Sequence, residues 1–281
     1  MTLVRVLRTA EVVLSHTFYV DESATSASGP VTYSINRLDG TVVASGTASG
    51  PAPVGVYQVT VPAQSTVDTL TVDWTGTIAG SVVTARDIVE IVGGFIFGLA
   101  EARATPPVLD VTRYPTATLA RKRISVEQEC EEICGQAFVP RFARVAITAA
   151  NRACLTLPHI KIRALRSVKI GGVAQSLTGL AVSESGVISG GIWNATTPAT
   201  TIIVEYEHGW EYPPEDIREA AMLRLRSRLS MGDTAVPLRA LSFSLGDGGI
   251  YRISTPSGKR TGIPDIDGPY ERYTADKGGF A

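Results

Sequence analysis

The residues of this chain whose types could do chemistry are few: three histidines, three cysteines and some closely spaced glutamates. His16, His159 and His208 each stand alone in sequence. No HExxH is present to hold a hydrolytic zinc, and no GxSxG to present a nucleophilic serine. Cys130 and Cys134 lie four apart, and His159 follows Cys154 by five residues, but this spacing matches no compact zinc pattern. Small buried thiols are the simpler reading. Ser257-Gly258-Lys259-Arg260-Thr261 resembles a phosphate loop only at its end. Ile253 stands where the first glycine belongs, and Arg260 replaces the hydroxyl residue after the lysine. Glu184, Glu205 and Glu207 offer carboxylates for acid–base work. Glu205 and Glu207, however, share one face of a strand, where solvated surface is the ordinary role. His208, beside Gly209, reads as a turn residue. The expectation is a protein that is not an enzyme and has no cofactor, no metal site and no catalytic residues.

Composition is consistent with this. The chain has 281 residues, 44% of them hydrophobic and 19% charged, with 26 Lys+Arg against 27 Asp+Glu. Such a chain can bury a sizeable core and is long enough for more than one domain. Its net charge of -1 excludes a strongly basic nucleic-acid binder. An odd, low cysteine count argues against a disulfide framework. The opening MTLVRVLRTAEVVLSH lacks the apolar core and cleavage site of a signal peptide. Ile91–Ala100 is apolar but too short to span a bilayer, so no membrane association is expected.

The elements that must position these residues fall into blocks. From 1 to 92 the chain is rich in Thr, Ser, Val and Gly. It alternates in short runs: VTYSINRL, TVVASGTA, GVYQVTV, DTLTVDWTG and SVVTARDIVEIV. Asp39-Gly40 between two such runs is a hairpin signal. Regularly spaced short strands predict an immunoglobulin-like β-sandwich without a disulfide, with Trp74 in its core. Gly93-Gly94 breaks the pattern and marks a boundary. A short helix is expected over 96–104, ended by Thr105-Pro106-Pro107. A longer one is expected over 116–136, with Leu119, Val126, Cys130, Ile133 and Ala137 on its apolar face and Arg121, Lys122, Glu127, Glu131 and Glu132 pointing elsewhere. Strand-like runs return until residue 208.

The segment 202–229 is the most informative. Ile202, Ile203, Val204 and Tyr206 favour a half-buried strand. Gly209 allows a tight turn, and Pro213-Pro214 suit the first turn of a helix. Glu215, Asp216 and Glu219 near its start and Arg224, Arg226 and Arg228 near its end complement the helix dipole. Ile217, Ala221, Leu225 and Leu229 form one apolar stripe with Met222 beside it. Gly232 is a candidate C-cap. Arg224 and Arg228 lie one turn apart beside the stripe. A solvated helix edge is the plain reading, and contact with DNA phosphate or a neighbouring subunit is the sharper one. Beyond this helix the chain is rich in Gly, Pro and charge. It reads as a tail with little core of its own, ordered only by a partner.

Four phrases now stand in a telling order: EQECEEICGQAFVPR (127–141), ALRSVKIGG (164–172), VEYEHGWEYPPEDIREAAMLRL (204–225) and TGIPDIDGPYERY (261–273). Together they resemble the head-to-tail adaptor, or connector, proteins of long-tailed phages, over about residues 95–273. The resemblance implies a multidomain chain: the immunoglobulin-like sandwich at 1–92, an α+β adaptor core at 93–232, and a C-terminal extension at 233–281 contacting portal or neighbouring subunits. It implies a structural protein of the virion neck, assembled in the host cytoplasm. Such a protein forms a ring, usually a dodecamer, beneath the portal protein. It extends the channel through which double-stranded DNA passes without sequence-specific binding, and offers a platform to a tail-completion or stopper protein. Arg224, Arg226, Arg228, Lys259, Arg260, Ile263, Ile266, Tyr270 and Tyr273 are then interface candidates. The N-terminal β domain departs from the minimal adaptor pattern. An alternative function uses that domain: a glycan-binding or decoration protein presenting aromatics such as Tyr33 and Tyr57.

Overall fold

The computed structural model describes residues 2–50, 53–104, 108–195, 201–230, 240–244, 250–253 and 260–275. The expected chain break at Thr105-Pro106-Pro107, the expected cap at Gly232 and the boundary at 232/233 lie outside these. The fold is mixed, mostly β in several sheets with a few helices, as expected of a multidomain α+β chain. Two compact units emerge, one of Met1–Gly93, Pro140–Leu157 and Ile162–His208, the other of Gly94–Val139, Pro158–Lys161 and Gly209–Ala281.

The first unit begins with β1 (Leu3–Leu7), β2 (Val12–Thr17), β3 (Tyr19–Val20) and β4 (Ser23–Ala24). It continues with β5 (Thr32–Arg37), β6 (Val42–Thr47), β7 (Val56–Val61), β8 (Asp68–Ile78) and β9 (Ser81–Val92). A five-stranded sheet runs β1-β9-β8-β5-β6, while β2 pairs with β7 and β3 with β4. β8 alternates strictly between buried and half-buried positions, as a strand with one face on a core must. Trp74, Leu70, Val72, Ile35 and Val89 from the large sheet pack with Leu14, Tyr57, Val59 and Val61 from β2 and β7 in one cluster. The Asp39-Gly40 turn joins β5 to β6, and Gly40 has a positive φ of 90° that glycine adopts without strain. The aromatics offered for glycan binding are not exposed. Tyr57 is buried and its hydroxyl accepts the Ala27 amide at 2.8 Å, while Tyr33 packs against the same core.

Asp87 organises the start of this unit. Its carboxylate accepts the Thr2 amide at 2.7 Å and the Trp74 indole N–H at 3.1 Å, and lies 3.0 Å from Nδ1 of His16. Burial pushes its pKa up, but these partners outweigh burial and hold it below the usual carboxylate value. The His16 ring stacks on Trp74 with centroids 5.6 Å apart.

Gly94 opens the second unit. Here α1 (Leu99–Arg103) and α2 (Thr116–Cys134) follow. Gly135 ends α2 in the left-handed region at φ 69°. The expected face of α2 is inside, but so is Glu127, which was expected outside. Its carboxylate is fully buried because it accepts the Ile96 amide at 2.9 Å, a donor that would otherwise be left unpaired.

The chain then returns to the first unit with β10 (Arg141–Ile147), β11 (Ala149–Thr156), β12 (Ile162–Ile170) and β13 (Val173–Ala174). β14 (Ala181–Val182), β15 (Val187–Ala195) and β16 (Ile202–His208) complete it. They form the sheets β10-β16-β12-β13 and β11-β15-β14. Val168, Val204, Tyr206, Ile188 and Trp193 share their core. Pro140 at the start of this segment packs on the end of β9. Its carbonyl accepts the Gly93 amide at 3.0 Å, and a Cβ on Gly93 would stand 2.6 Å from the proline ring. The last elements belong to the second unit or lie within its span: α3 (Glu215–Ser230), the hairpin β17 (Ala240–Ser244) with β18 (Ile250–Ile253), and α4 (Pro264–Arg272).

Candidate functional site

Helix α3 is set in place by the turn before it and by the helices around it. The turn that launches it needs Gly209. This residue has φ 101°, and a Cβ there would stand 2.4 Å from the Val139 carbonyl oxygen. Trp210 is held by its amide on Ala137 O at 3.2 Å and by its indole N–H on Gln136 Oε1 at 3.0 Å. Its ring forms a trio with Phe138 and Tyr273, at centroid distances of 6.5 and 5.9 Å, and Lys161 Nζ lies 5.2 Å from it. The Pro214 carbonyl accepts the Arg218 amide at 3.0 Å, so the helix starts directly from the double proline.

The stripe of α3 is buried as its spacing predicts: Ile217, Ala221 and Leu225 are at most 1% exposed, and Leu229 and Met222 pack at the margin. Beside it, Arg224 and Arg228 are not a solvated edge. Arg224 is buried and grips Glu129 of α2, Nε to Oε2 and Nη2 to Oε1, both at 2.7 Å. Arg228 adds a contact to Glu129 at 3.1 Å and donates to Ser125. Burial pushes the Glu129 carboxyl up, but its hydrogen bonds to Arg224 and the charges of both arginines win and hold it low. Sequence gave no sign of Glu129, one carboxylate in the acidic run 127–132, because its partner lies 95 residues away.

The C-terminal phrase is ordered, contrary to the expectation of a tail without a core. Ile263, Ile266 and Tyr270 are buried in one cluster with Val126, Cys130, Cys134, Phe138, Ile217, Ala221 and Leu225. Asp267 fixes the entry to α4. Its carboxylate accepts the amide of Thr261 at 2.8 Å, the Thr261 hydroxyl at 2.7 Å and the Gly262 amide at 2.9 Å. Burial beside Cys130 pushes the Tyr270 hydroxyl far above its ordinary pKa. The thiol of Cys130 is pushed up too, first by burial, which agrees with an inert core thiol.

The interface candidates therefore have different fates. Arg224 and Arg228 are spent on Glu129, and Ile263, Ile266 and Tyr270 are interior. Tyr273 is half-buried in the aromatic trio, and Arg260 is exposed and paired with Glu271. Arg226 is half-buried on α3. Lys259 lies outside the described residues.

The candidate chemical groups are scattered. His208 ends β16 as a buried strand residue, not a turn, in register with Arg141 and Ile162. Glu205 accepts Ser167 Oγ at 2.6 Å and pairs with Arg144, and Glu207 accepts Arg166 Nε at 2.8 Å, so neither is merely solvated. Glu184 is exposed, Cys154 is exposed on β11, and His159 is half-buried. No group of three or more His, Cys, Asp or Glu able to hold a metal occurs among the described residues. Among the same residues, no helix is long and apolar enough to cross a membrane.

No protein-family model and no curated protein matches this chain. Among solved structures, the chain is similar to one from the neck of an empty gene transfer agent particle, computed with C6 symmetry. The identity is 16%, covering 66% of this chain and 93% of that one, with a TM-score of 0.45. A chain from the virion of the native gene transfer agent particle is also similar, at 17% identity, 50% and 82% coverage and a TM-score of 0.39.

Proposed function

We propose that this chain is a structural protein of a phage-type virion neck, a head-to-tail adaptor. It forms a ring beneath the portal and continues the channel through which double-stranded DNA passes. One observation carries the reading. Three of the four phrases that resemble adaptor proteins, 127–141, 204–225 and 261–273, are far apart in sequence yet supply one core: Cys130, Cys134 and Phe138; Ile217, Ala221 and Leu225; Ile263, Ile266 and Tyr270. The fourth, 164–172, supplies Val168 to the sheet core that Val204 shares. Three segments distant in sequence thus share one core within the second unit, while 164–172 packs in the sheet core of the first.

In this reading residues 93–232 are the adaptor core and residues 1–92 an appended immunoglobulin-like domain. The ring holds as many copies as the portal offers sites, twelve in the usual case the resemblance implies. Its far side receives a stopper or tail-completion protein. The glycan-binding alternative loses its motivation with the burial of Tyr57 and the packing of Tyr33. Electron microscopy of the pure chain, alone and mixed with its portal, tests the reading. Closed rings, free or on one face of the portal, are expected; portals left bare at saturating chain would contradict it.

A further inference from the structure

Helix α3 links two surfaces of opposite character. At its C-terminal end, Leu229 packs with Val108, Tyr114 and Leu119. The loop there exposes two aliphatic side chains, Leu109 at 59% and Val111 at 62%. The loop is not slack: Asp110 Oδ1 accepts the amides of Thr112 at 2.8 Å and Arg113 at 3.0 Å, and Tyr114 donates its amide to Asp110 O at 3.0 Å. Cations lie on the helices that meet at this end. Lys122 stands three residues after Leu119 on α2 and Arg226 three before Leu229 on α3, so both lie along the rows that pack there. Exposed Arg113 sits on the loop itself.

The N-terminal end of α3 is the converse. Tyr212 is 76% exposed in the turn that Gly209 and Trp210 hold in place. Exposed carboxylates flank it: Glu211 before, and Glu215 and Glu219 one turn apart on the same row of α3. Arg218 pairs with Glu215 and Arg272 with Asp216, so the carboxylates outnumber the cations here but are partly matched by them. From Glu215 to Leu229 the helix rises about 20 Å, so the two surfaces are well separated on one rigid element.

We infer that these are the two halves of a head-to-tail contact between copies of this chain, the Leu109–Val111 loop with its cations receiving Tyr212 and its carboxylates from the next copy. A ring needs a heterologous contact, in which two different patches of one subunit complement each other. An aromatic anchor against aliphatic side chains inside a rim of opposite charge has the composition of such a contact. Double-stranded DNA is the weaker occupant for the basic end, because phosphates reward the cations but gain nothing from two exposed aliphatic groups. The inference rests on the ring proposed above and specifies how neighbours meet in it.

A charge-swap experiment tests it, by sedimentation of the full chain at low and high salt. Variant one carries Lys122→Glu and Arg226→Glu; variant two carries Glu215→Lys and Glu219→Lys. Wild type should self-associate, less at high salt. Each variant alone should do so on the order of tenfold or more weakly. Mixing the two should restore association, which unfolded chains could not do. Variants that associate as well as wild type overturn this contact while leaving the ring standing. A wild type that never associates also overturns it, and ring formation on the portal then judges the ring separately. Loss of binding to a double-stranded DNA probe by variant one, with self-association unchanged, assigns the basic end to nucleic acid and overturns the contact as well.

Discussion

Arg224 and Glu129 face each other as a fork, with two parallel hydrogen bonds of 2.7 Å joining α3 to α2. The arginine side chain is 7% exposed and the glutamate 22%, so water does little to screen the pair. Removing one partner leaves the other charged and poorly solvated. Arg224→Ala should therefore destabilise the protein by about 3 kcal/mol, and Arg224→Ala with Glu129→Ala by less than the sum of the single changes. Urea unfolding of the three variants checks this. Additive costs would show that the fork carries no coupling.

The same fork sets a pH dependence. The folded pKa of Glu129 is lowered, so its pairing contributes stability that is complete above the unfolded value and is lost as the pH falls through the folded one. Asp87 has the same sign. Asp68 has the opposite sign: burial raises its pKa in spite of the Arg37 ion pair, so protonation there adds stability on acidification. Stability measured downward from neutral pH should fall below the ordinary carboxylate range, and Glu129→Gln should flatten that fall. An unchanged profile in Glu129→Gln would remove Glu129 from the account.

Within the core of α3, Leu225→Ala should cost about 2–5 kcal/mol, since the side chain is fully enclosed. Arg226→Ala should cost much less stability and act instead on assembly. An unchanged melting temperature for Leu225→Ala would mean that the wrong face of α3 is inside.

The C-terminal phrase gives a sharper outcome than an exposed tail would. Tyr270 and Ile266 are fully buried against α2 and α3. Ending the chain before Thr261 should therefore unfold or loosen the helical unit, seen as lost helical circular dichroism and faster amide exchange in α2 and α3. Asp267→Ala, which strips three hydrogen bonds from the Thr261-Gly262 entry, should do so partially. A truncated chain with native stability would contradict the packing of α4.

Much of the architecture was legible because local patterns and tertiary packing agree. The alternation in β8, the Asp39-Gly40 hairpin and the stripe of α3 are each set by neighbours in sequence. Strands β1 and β2 were missed. β1 is held by parallel pairing to β9 more than 80 residues on, and no local signal announces it. Helix α4 was hidden by Gly268 and Pro269, both poor helix residues. Ile263, Ile266 and Tyr270 nevertheless stand at helical spacing, a signal that was there to read. Glu127 and Arg224 were placed in solvent on charge alone. The partners that bury them, the Ile96 amide and Glu129, come from distant segments that only the fold brings near.

Cryo-electron microscopy of portal rings incubated with an excess of this chain tests the proposed ring directly. One added ring is expected on a single face of the portal, closed, coaxial with its channel and open along the axis. Within it, the Tyr212 end of α3 in each copy should face the Leu109–Val111 loop of the next. Portal rings without added density, beside a chain that stays monomeric, would contradict it.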